Sequence, residues 1–219
     1  MSKPVDLARH IFRCFLDILL PLRERAGRTE RRSPHDFTVS PCSHEMRGET
    51  ITTLLDYQDT KVADLVRALK YEHSSHAARL SAYILSDYLR EEIASLRAFS
   101  PRKIYVAPVP LHKDRLRSRG FNQVEKILKQ FPSDFLDGTV SKLSPHALSR
   151  VRNTPQQTKL SRVERIKNVA DAFLADDSLH DAHVILIDDV TTTGATITEC
   201  ARALKKVGAT TTLIALARA

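Results

Sequence analysis

Two adjacent acids and the small hydroxyl residues after them are the part of this 219-residue sequence best suited to chemistry. They lie in the segment HVILIDDVTTTGAT, where the apolar run Val184 to Ile187 ends in Asp188 and Asp189. The apolar run predicts a buried strand. The segment Ala195 to Val207 predicts a helix, and the glycine that follows it is a common helix terminator. The two acids and the loop after them therefore stand between the end of a strand and the start of a helix.

The loop between the predicted strand and helix is suited to anion binding. Backbone N–H groups at a helix start point outward at the positive end of the helix dipole. Gly194 allows a ligand to come close to the backbone, and no lysine follows it, so the loop is not a P-loop. The loop residues expected to contact the ligand follow the acids without interruption: Val190, Thr191, Thr192, Thr193, Gly194, Ala195 and Thr196.

The two acids must serve a part of the ligand other than its phosphate, because carboxylates repel phosphate. Carboxylates accept hydrogen bonds from vicinal diols such as the 2′ and 3′ hydroxyls of ribose, and they stabilise positive charge on a sugar ring. A ribose 5-phosphate group fits this pattern, with its phosphate on the loop and its hydroxyls on Asp188 and Asp189. The alternative is a strand that ends in a threonine-rich, helix-capping turn, but capping explains one threonine and neither acid.

The rest of the sequence predicts an α/β fold with a mostly parallel sheet flanked by helices, because strand-like runs alternate with helical patterns. We divide the chain into an N-terminal extension, residues 1–54, of helical or irregular structure, and a main domain, residues 55–219. The extension includes an irregular stretch from residue 26 to about residue 49. Besides the strand and helix around the loop, strands are predicted at 104–109, 139–143 and 210–216, and helices within 59–94, 121–131 and 161–173.

The composition favours an anionic partner. The net charge is +8, which suits a protein that binds nucleic acid or a small phosphorylated ligand. Much of the basic excess lies within residues 23–32 and 113–119, although such runs are also common on solvated faces. No apolar stretch is long enough to cross a bilayer, so we expect a cytoplasmic protein without membrane insertion. The three cysteines lie far apart, which favours neither a zinc site nor a disulfide.

Several segments, in order along the chain, resemble one protein family. ILIDDVTTTGAT closely resembles the motif with which type I phosphoribosyltransferases bind 5-phosphoribosyl 1-pyrophosphate (PRPP). VAPVPLHKDRLRSRGFNQVEKI, Val106 to Ile127, looks like the ComF family of competence-related, phosphoribosyltransferase-like proteins, which also includes GntX-like proteins. Tyr57 to Tyr71, YQDTKVADLVRALKY, and the segment Arg150 to Leu160 are similar to the same family. The resemblance covers roughly residue 55 to the end and implies a type I phosphoribosyltransferase-like fold.

The N-terminus departs from the family pattern. Many members carry a cysteine-rich zinc module there, but the cysteine pairs of that module are missing from this chain. Cys14 and Cys42 alone cannot make a four-ligand zinc site. We therefore predict an extension that lacks the zinc module and a protein that binds no zinc.

The resemblance implies a protein that binds PRPP with Mg²⁺ and transfers the phosphoribosyl group to an unidentified nitrogen acceptor, with release of pyrophosphate. Asp188 and Asp189 would be the catalytic residues. The Mg²⁺ ion is expected to be held mainly through the ligand, with the same two acids as its candidate protein contacts. No general base is identifiable in the sequence.

The resemblance also implies two further parts of the site. A pyrophosphate loop after the strand at 104–109 would present N–H groups and cations: Pro110, Leu111, His112, Lys113, Arg115, Arg119 and Asn122. A hood loop would close over bound PRPP and exclude water, with four candidate contacts: Arg150, Arg152, Thr154 and Gln157. Each basic residue in the first group could equally belong to the solvated start of a helix. The hood segment could equally be a disordered connection.

An alternative function is that of a non-catalytic accessory protein in competence-related DNA uptake, with single-stranded DNA or competence proteins as partners. The basic charge supports this alternative. However, the chain has no tryptophan and its aromatic content is 6%, which leaves few side chains on which bases can stack. A third interpretation is a module that senses PRPP or a nucleotide without catalysis. A homodimer is a further expected assembly.

Overall fold

A mostly parallel sheet forms the centre of the computed structural model, which describes residues 27–111, 116–117, 120–151 and 172–219. The strands within those residues are β1 (Cys42–Met46), β2 (Glu49–Asp56), β3 (Ile104–Pro108), β4 (Lys142–Leu143), β5 (Leu148–Arg150), β6 (Phe173–Ala175), β7 (His183–Thr191) and β8 (Thr210–Arg218). Six of them form one sheet in the order β1-β2-β8-β7-β3-β4, and β5 and β6 form a separate pair. Only β1 runs antiparallel to its neighbour in the larger sheet. The predicted mostly parallel sheet is confirmed.

The main α-helices begin after a polar residue, a proline or a glycine. They are α1 (Thr60–Tyr71), α2 (Ser75–Phe99), α3 (Gln123–Leu128), α4 (Ser133–Leu136) and α5 (Ala195–Lys206). Asp59 and Ser74 cap α1 and α2, since their side chains accept hydrogen bonds from the N–H groups of Lys61 and Ala77. The predicted helices within 59–94, within 121–131 and after the loop are confirmed, although α2 extends further and α3 is shorter.

Both faces of the sheet are covered, which explains the apolar sequence of β7. Ile185 and Ile187 belong to the buried cluster beneath α1, α2 and α3. Val184 and Leu186 belong to the second cluster, beneath α5 and the β5–β6 pair. All four side chains are fully buried. A strand that is buried on both faces has no polar alternation, so the first acid after this run, Asp188, marks the point where the strand leaves the core.

The structure differs from the sequence-based predictions at several places. β7 does not end at Ile187 but continues through both acids to Thr191. The predicted strand at 139–143 is reduced to Lys142–Leu143. Phe173, predicted as the last residue of a helix, is the first residue of β6, and the rest of that predicted helix lies outside the described residues. The boundary predicted between residues 54 and 55 falls inside β2, and the stretch predicted as irregular contributes β1.

The hairpin of β1 and β2 is part of the sheet and not an appendage to it. β2 pairs in parallel with β8, and Ile51 and Leu54 are fully buried. β1 has the polar sequence CSHEM without alternation, and this explains why no strand is predicted there. Among the described residues, no helix is long and apolar enough to cross a bilayer.

Candidate functional site

The two acids lie at the carboxyl edge of the sheet, where its strand order reverses. β3 ends at Pro108, which is opposite Ile187, so Asp188 is the first residue of β7 beyond the end of β3. From β3 the sheet continues to β4 on one side, and from β7 it continues to β8 on the other. Open α/β sheets bind ligands in the crevice at such a reversal, outside the carboxyl ends of the strands. The sequence-predicted acids therefore occupy the position at which this class of sheet binds ligands.

Asp189 is held by an ion pair from the last turn of α1. The Nζ atom of Lys70 lies 3.2 Å from Oδ2 of Asp189, and the two side chains are 22% and 11% exposed. The other carboxylate oxygen of Asp189 accepts a hydrogen bond of 2.7 Å from the N–H group of Val190. Sequence reasoning missed Lys70, although it lies in the family-like segment YQDTKVADLVRALKY. Its contact with Asp189 depends on how α1 packs on the sheet, which no local pattern shows.

The surroundings of Asp188 favour its protonated form. Burial, followed by the adjacent charge of Asp189, raises the pKa of Asp188 to about 7, while Lys70 opposes this rise. Oδ1 of Asp188 accepts a hydrogen bond of 2.9 Å from the N–H group of Asp189. The site thus combines one carboxylate that is paired with a lysine and one carboxyl group that gains or loses a proton close to physiological pH.

The loop after the acids turns tightly into α5 at Gly194. This residue has φ of 71°, a left-handed conformation that glycine adopts without strain. A Cβ atom at this position would lie 2.8 Å from Cδ1 of Ile51 and 3.0 Å from Cβ of Met46. The β1–β2 hairpin therefore packs directly against the loop. Gly194 is the N-cap of α5 and has no side chain to bond the first turn, where the N–H group of Ala195 donates to Oγ1 of Thr193 at 3.4 Å. The start of the helix carries positive partial charge, which favours an anion.

The first residues of the predicted pyrophosphate loop lie beside β7. The N–H group of Val109 donates a 2.9 Å hydrogen bond to the carbonyl of Ile187. Asn122 is 3% exposed. Its Nδ2 donates to the carbonyl of Val109 at 3.1 Å, and its Oδ1 accepts from the N–H group of Val124 at 2.9 Å. The side chain of Asn122 thus ties the base of this loop to α3. Pro110 and Leu111 are partly exposed. His112, Lys113, Arg115 and Arg119 lie outside the described residues.

The predicted hood segment begins in β5, and the structure describes its first candidate contact. Arg150 is opposite Phe173 in the antiparallel register. The Arg150 side chain is buried at 5% exposure, with its guanidinium 5.3 Å from the centre of the Phe173 ring. This contact links β5 to β6. The remaining candidates of this group, Arg152, Thr154 and Gln157, lie outside the described residues.

A pocket that sequence reasoning did not predict adjoins the loop. Its volume is about 440 Å³, and its lining comes from β1 with its turn, from the loop and from the end of β8: Ser43, His44, Glu45, Met46, Arg47, Thr192, Thr193 and Arg218. Thr191 is opposite Arg218 in the β7–β8 register, so the end of β8 runs alongside the start of the loop. Only the pairing of strands that are far apart in sequence brings these residues together.

The two acids are the donors in this site that could contact a metal. In the described part of the chain, no group of three or more histidine, cysteine, aspartate or glutamate side chains is arranged to hold one. Carboxylate oxygens are the donors that Mg²⁺ prefers, and Mg²⁺ usually binds one or two carboxylates plus substrate phosphates. The donor set therefore fits a Mg²⁺ ion that arrives with its ligand. Cys42 is exposed and Cys200 is buried, and both are free thiols.

Comparison with known proteins gives several relatives, although no family model matches the chain. The chain is 30% identical over 198 residues to the DNA utilization protein YhgH of Escherichia coli O6:H1, an alignment that covers 85% of this chain and 84% of the relative. It is 32% identical over 147 residues to competence protein F of Haemophilus influenzae, covering 66% of this chain and 62% of the relative. It is 31% identical over 157 residues to competence protein ComFC of Bacillus subtilis, covering 71% and 61%. With the first alignment spanning most of both proteins, the chain belongs to the ComF family.

Proposed function

We propose that the protein binds PRPP together with Mg²⁺ and transfers its phosphoribosyl group to a nitrogen acceptor. One observation carries this proposal: the two acids leave the core at the reversal of the sheet and run directly into a glycine loop at the start of α5. The α/β sheet is compatible with a type I phosphoribosyltransferase fold, which is part of the proposal.

In this proposal the ligand lies across the end of β7. Its 5-phosphate accepts hydrogen bonds from N–H groups between Thr193 and Thr196 and from the threonine hydroxyls of the loop. Its ribose hydroxyls donate to Asp188 and Asp189. The pyrophosphate group extends toward the loop after β3, whose base is fixed by Asn122. Bound Mg²⁺ would neutralise charge on the pyrophosphate leaving group.

The described residues contribute binding, orientation and electrostatics to the reaction. The bond between ribose C1 and pyrophosphate breaks while a nitrogen lone pair forms the new bond, so positive charge develops on the ring. The carboxylates lie close to where this charge develops and stabilise it. Lys70 holds the carboxylate of Asp189 in one orientation. An acceptor that carries its own proton passes it to solvent or to the pyrophosphate, since no general base is assigned in this chain.

Pyrophosphate release tests the transfer step. Purified protein is incubated with PRPP, Mg²⁺ and a panel of nitrogen acceptors, namely purines, pyrimidines, nicotinate, anthranilate and ammonia. The expected result is acceptor-dependent pyrophosphate release that the double variant Asp188→Asn/Asp189→Asn lacks. Binding of PRPP without any acceptor-dependent release would restrict the function to ligand sensing.

The second candidate function is that of a non-catalytic accessory protein in DNA uptake, favoured by the names of the relatives, which are DNA utilization and competence proteins. DNA and competence proteins would be its partners, and the net charge of +8 suits the former. Binding of a labelled single-stranded oligonucleotide at several salt concentrations separates the two candidates. Affinity for DNA through phosphate contacts falls steeply with salt, whereas affinity for Mg²⁺–PRPP in a shaped site falls much less.

A further inference from the structure

The pocket beside the loop has a cationic second wall that the proposed PRPP site does not use. Arg47 and Arg218 contribute two guanidinium groups to the lining, against one carboxylate from Glu45. The Glu45 carboxylate accepts a hydrogen bond from the hydroxyl of Thr50, its partner in the β1–β2 register. The volume of about 440 Å³ is within the usual range of small-molecule sites. The charge balance of the pocket therefore favours an anionic group.

A directed chain of hydrogen bonds orients the Arg218 side chain. A guanidinium only donates, so the 2.7 Å contact between its NH1 and Nδ1 of His44 requires Nδ1 to be the acceptor. Nε2 of His44 then carries the proton and donates to Oγ1 of Thr53 at 3.0 Å. The Thr53 hydroxyl in turn lies 3.5 Å from the carbonyl oxygen of Cys42. A neutral His44 is consistent with burial and the adjacent Arg218, which lower the pKa of His44.

Among the residues that the structure describes, no acidic side chain forms an ion pair with Arg218. Arg47 is held only loosely, since its NH2 lies 3.8 Å from Oε1 of Glu199, while NH2 of Arg202 donates to Oε2 of that residue at 2.7 Å. Two cations therefore line a pocket in which β1 and the loop are already in contact through Met46 and Gly194.

We propose that β1 and the end of β8 form a second wall of the phosphate site, in which Arg218 and Arg47 bind the phosphate monoester that Thr192 and Thr193 face from the loop. This inference rests on the proposed function in that it extends the phosphate-binding end of the same site. A guanidinium binds two phosphate oxygens in a planar, two-pronged arrangement, which a loop of N–H groups alone does not provide. The pair of arginines would thus select a terminal phosphate dianion over a neutral sugar end.

The test is calorimetric titration with ribose 5-phosphate, with ribose and with PRPP. The variants are Arg218→Gln, Arg218→Lys and Arg47→Gln, and the matched control is Arg79→Gln, an exposed arginine on α2 that contacts His76. Arg218→Gln removes a charge-assisted, two-pronged contact. We therefore expect it to lower the affinity for ribose 5-phosphate and for PRPP by about tenfold or more. We expect Arg218→Lys to recover part of the lost affinity. Arg47→Gln should lower the affinity less than Arg218→Gln does, and Arg79→Gln should bind both ligands like the wild type. Thermal unfolding of each variant verifies that it is folded.

The outcomes that would overturn this inference differ from those that would overturn the proposed function. Equal binding of ribose 5-phosphate by wild type and Arg218→Gln, or no binding of it by either, would remove the second wall. If binding of a single-stranded oligonucleotide depends on Arg218 but binding of ribose 5-phosphate does not, the pocket would be assigned to nucleic acid instead. If PRPP fails to bind better than ribose 5-phosphate but the latter still depends on Arg218, the second wall stands and the transferase function does not.

Discussion

At the scale of single residues, the acid pair divides into two different groups. Lys70 fixes Asp189 through an ion pair of 3.2 Å. Asp188, which is next in the chain, has its pKa raised to about 7 by burial and by the charge of Asp189. Two carboxylates that look alike in the sequence thus have different surroundings, because one of them contacts a lysine more than a hundred positions away in the chain.

The pKa of Asp188 predicts how PRPP binding depends on pH. Below about pH 7 the carboxyl group of Asp188 is protonated in the free protein, so a ligand that requires its carboxylate must first displace that proton. Affinity for Mg²⁺–PRPP should therefore rise with pH, by about tenfold between pH 6 and pH 8. Calorimetry at a series of pH values measures this. Titration of PRPP alone, followed by phosphorus NMR, gives the contribution of the ligand's own phosphates. An affinity that rises no more steeply than that contribution would contradict the prediction.

The ion pair between Lys70 and Asp189 predicts that the two side chains are coupled in their contributions to the free energy of unfolding. Lys70→Met leaves the carboxylate of Asp189 largely buried without its cation, and should cost about 2 kcal/mol in the free energy of unfolding. Lys61→Met, on the exposed first turn of the same helix, is the matched control and should cost little. Urea unfolding of Lys70→Met, of Asp189→Asn and of the double variant Lys70→Met/Asp189→Asn measures the coupling between the two side chains. If the effects of Lys70→Met and Asp189→Asn simply add, the contact contributes nothing to stability.

At the scale of elements, the site depends on the contact between the β1–β2 hairpin and the loop before α5. Sequence patterns predict β3, β7, β8 and α5, because burial on both faces and helical periodicity are local properties of the chain. They do not predict β1, because CSHEM is polar, nor its contact with Gly194, because pairing between distant segments is not encoded locally. The acids and the loop are thus predictable, whereas Lys70 and the pocket that Arg218 lines are not.

Substitution of Gly194 tests this contact. In Gly194→Ala the new Cβ meets Ile51 and Met46, and alanine must adopt φ of 71°, so we expect a loss of about 2–4 kcal/mol in the free energy of unfolding. Gly138→Ala is the matched control, because Gly138 has φ of 88° with no neighbour within 4 Å, and should cost only about 1 kcal/mol. Thermal or urea unfolding measures both. Equal losses in the two variants would mean that the hairpin does not press on the loop.

At the scale of the whole molecule, residues before the first strand are also attached to the domain. Asp64 of α1 is 6% exposed. It lies 3.3 Å from Nε of Arg28 and 3.5 Å from NH2 of Arg32, and Arg32 also donates to the carbonyl of Lys61. The division of the chain at residue 54 in the sequence analysis thus separates segments that the structure connects, both through this cluster and through β2.

Removing the carboxylate of Asp64 should release this attachment locally. In Asp64→Asn, two guanidinium groups lose their partner, and we expect amide hydrogen exchange in residues 27–36 to accelerate by about tenfold. Amides of β7, which are buried in the centre of the sheet, serve as the internal control and should not change. Exchange measured by mass spectrometry makes the comparison. Acceleration throughout the chain, or none in residues 27–36, would show that the arginines do not hold this segment to α1.

The most direct test of the account is a calorimetric titration of PRPP at pH 8, with and without Mg²⁺, on the wild type and on Asp188→Asn/Asp189→Asn. We predict that the wild type binds PRPP in a Mg²⁺-dependent manner and that the variant does not, with both proteins folded by circular dichroism. A folded wild type that does not bind PRPP, or a variant that binds it equally well, would contradict the assignment of the acid pair to a phosphoribosyl ligand.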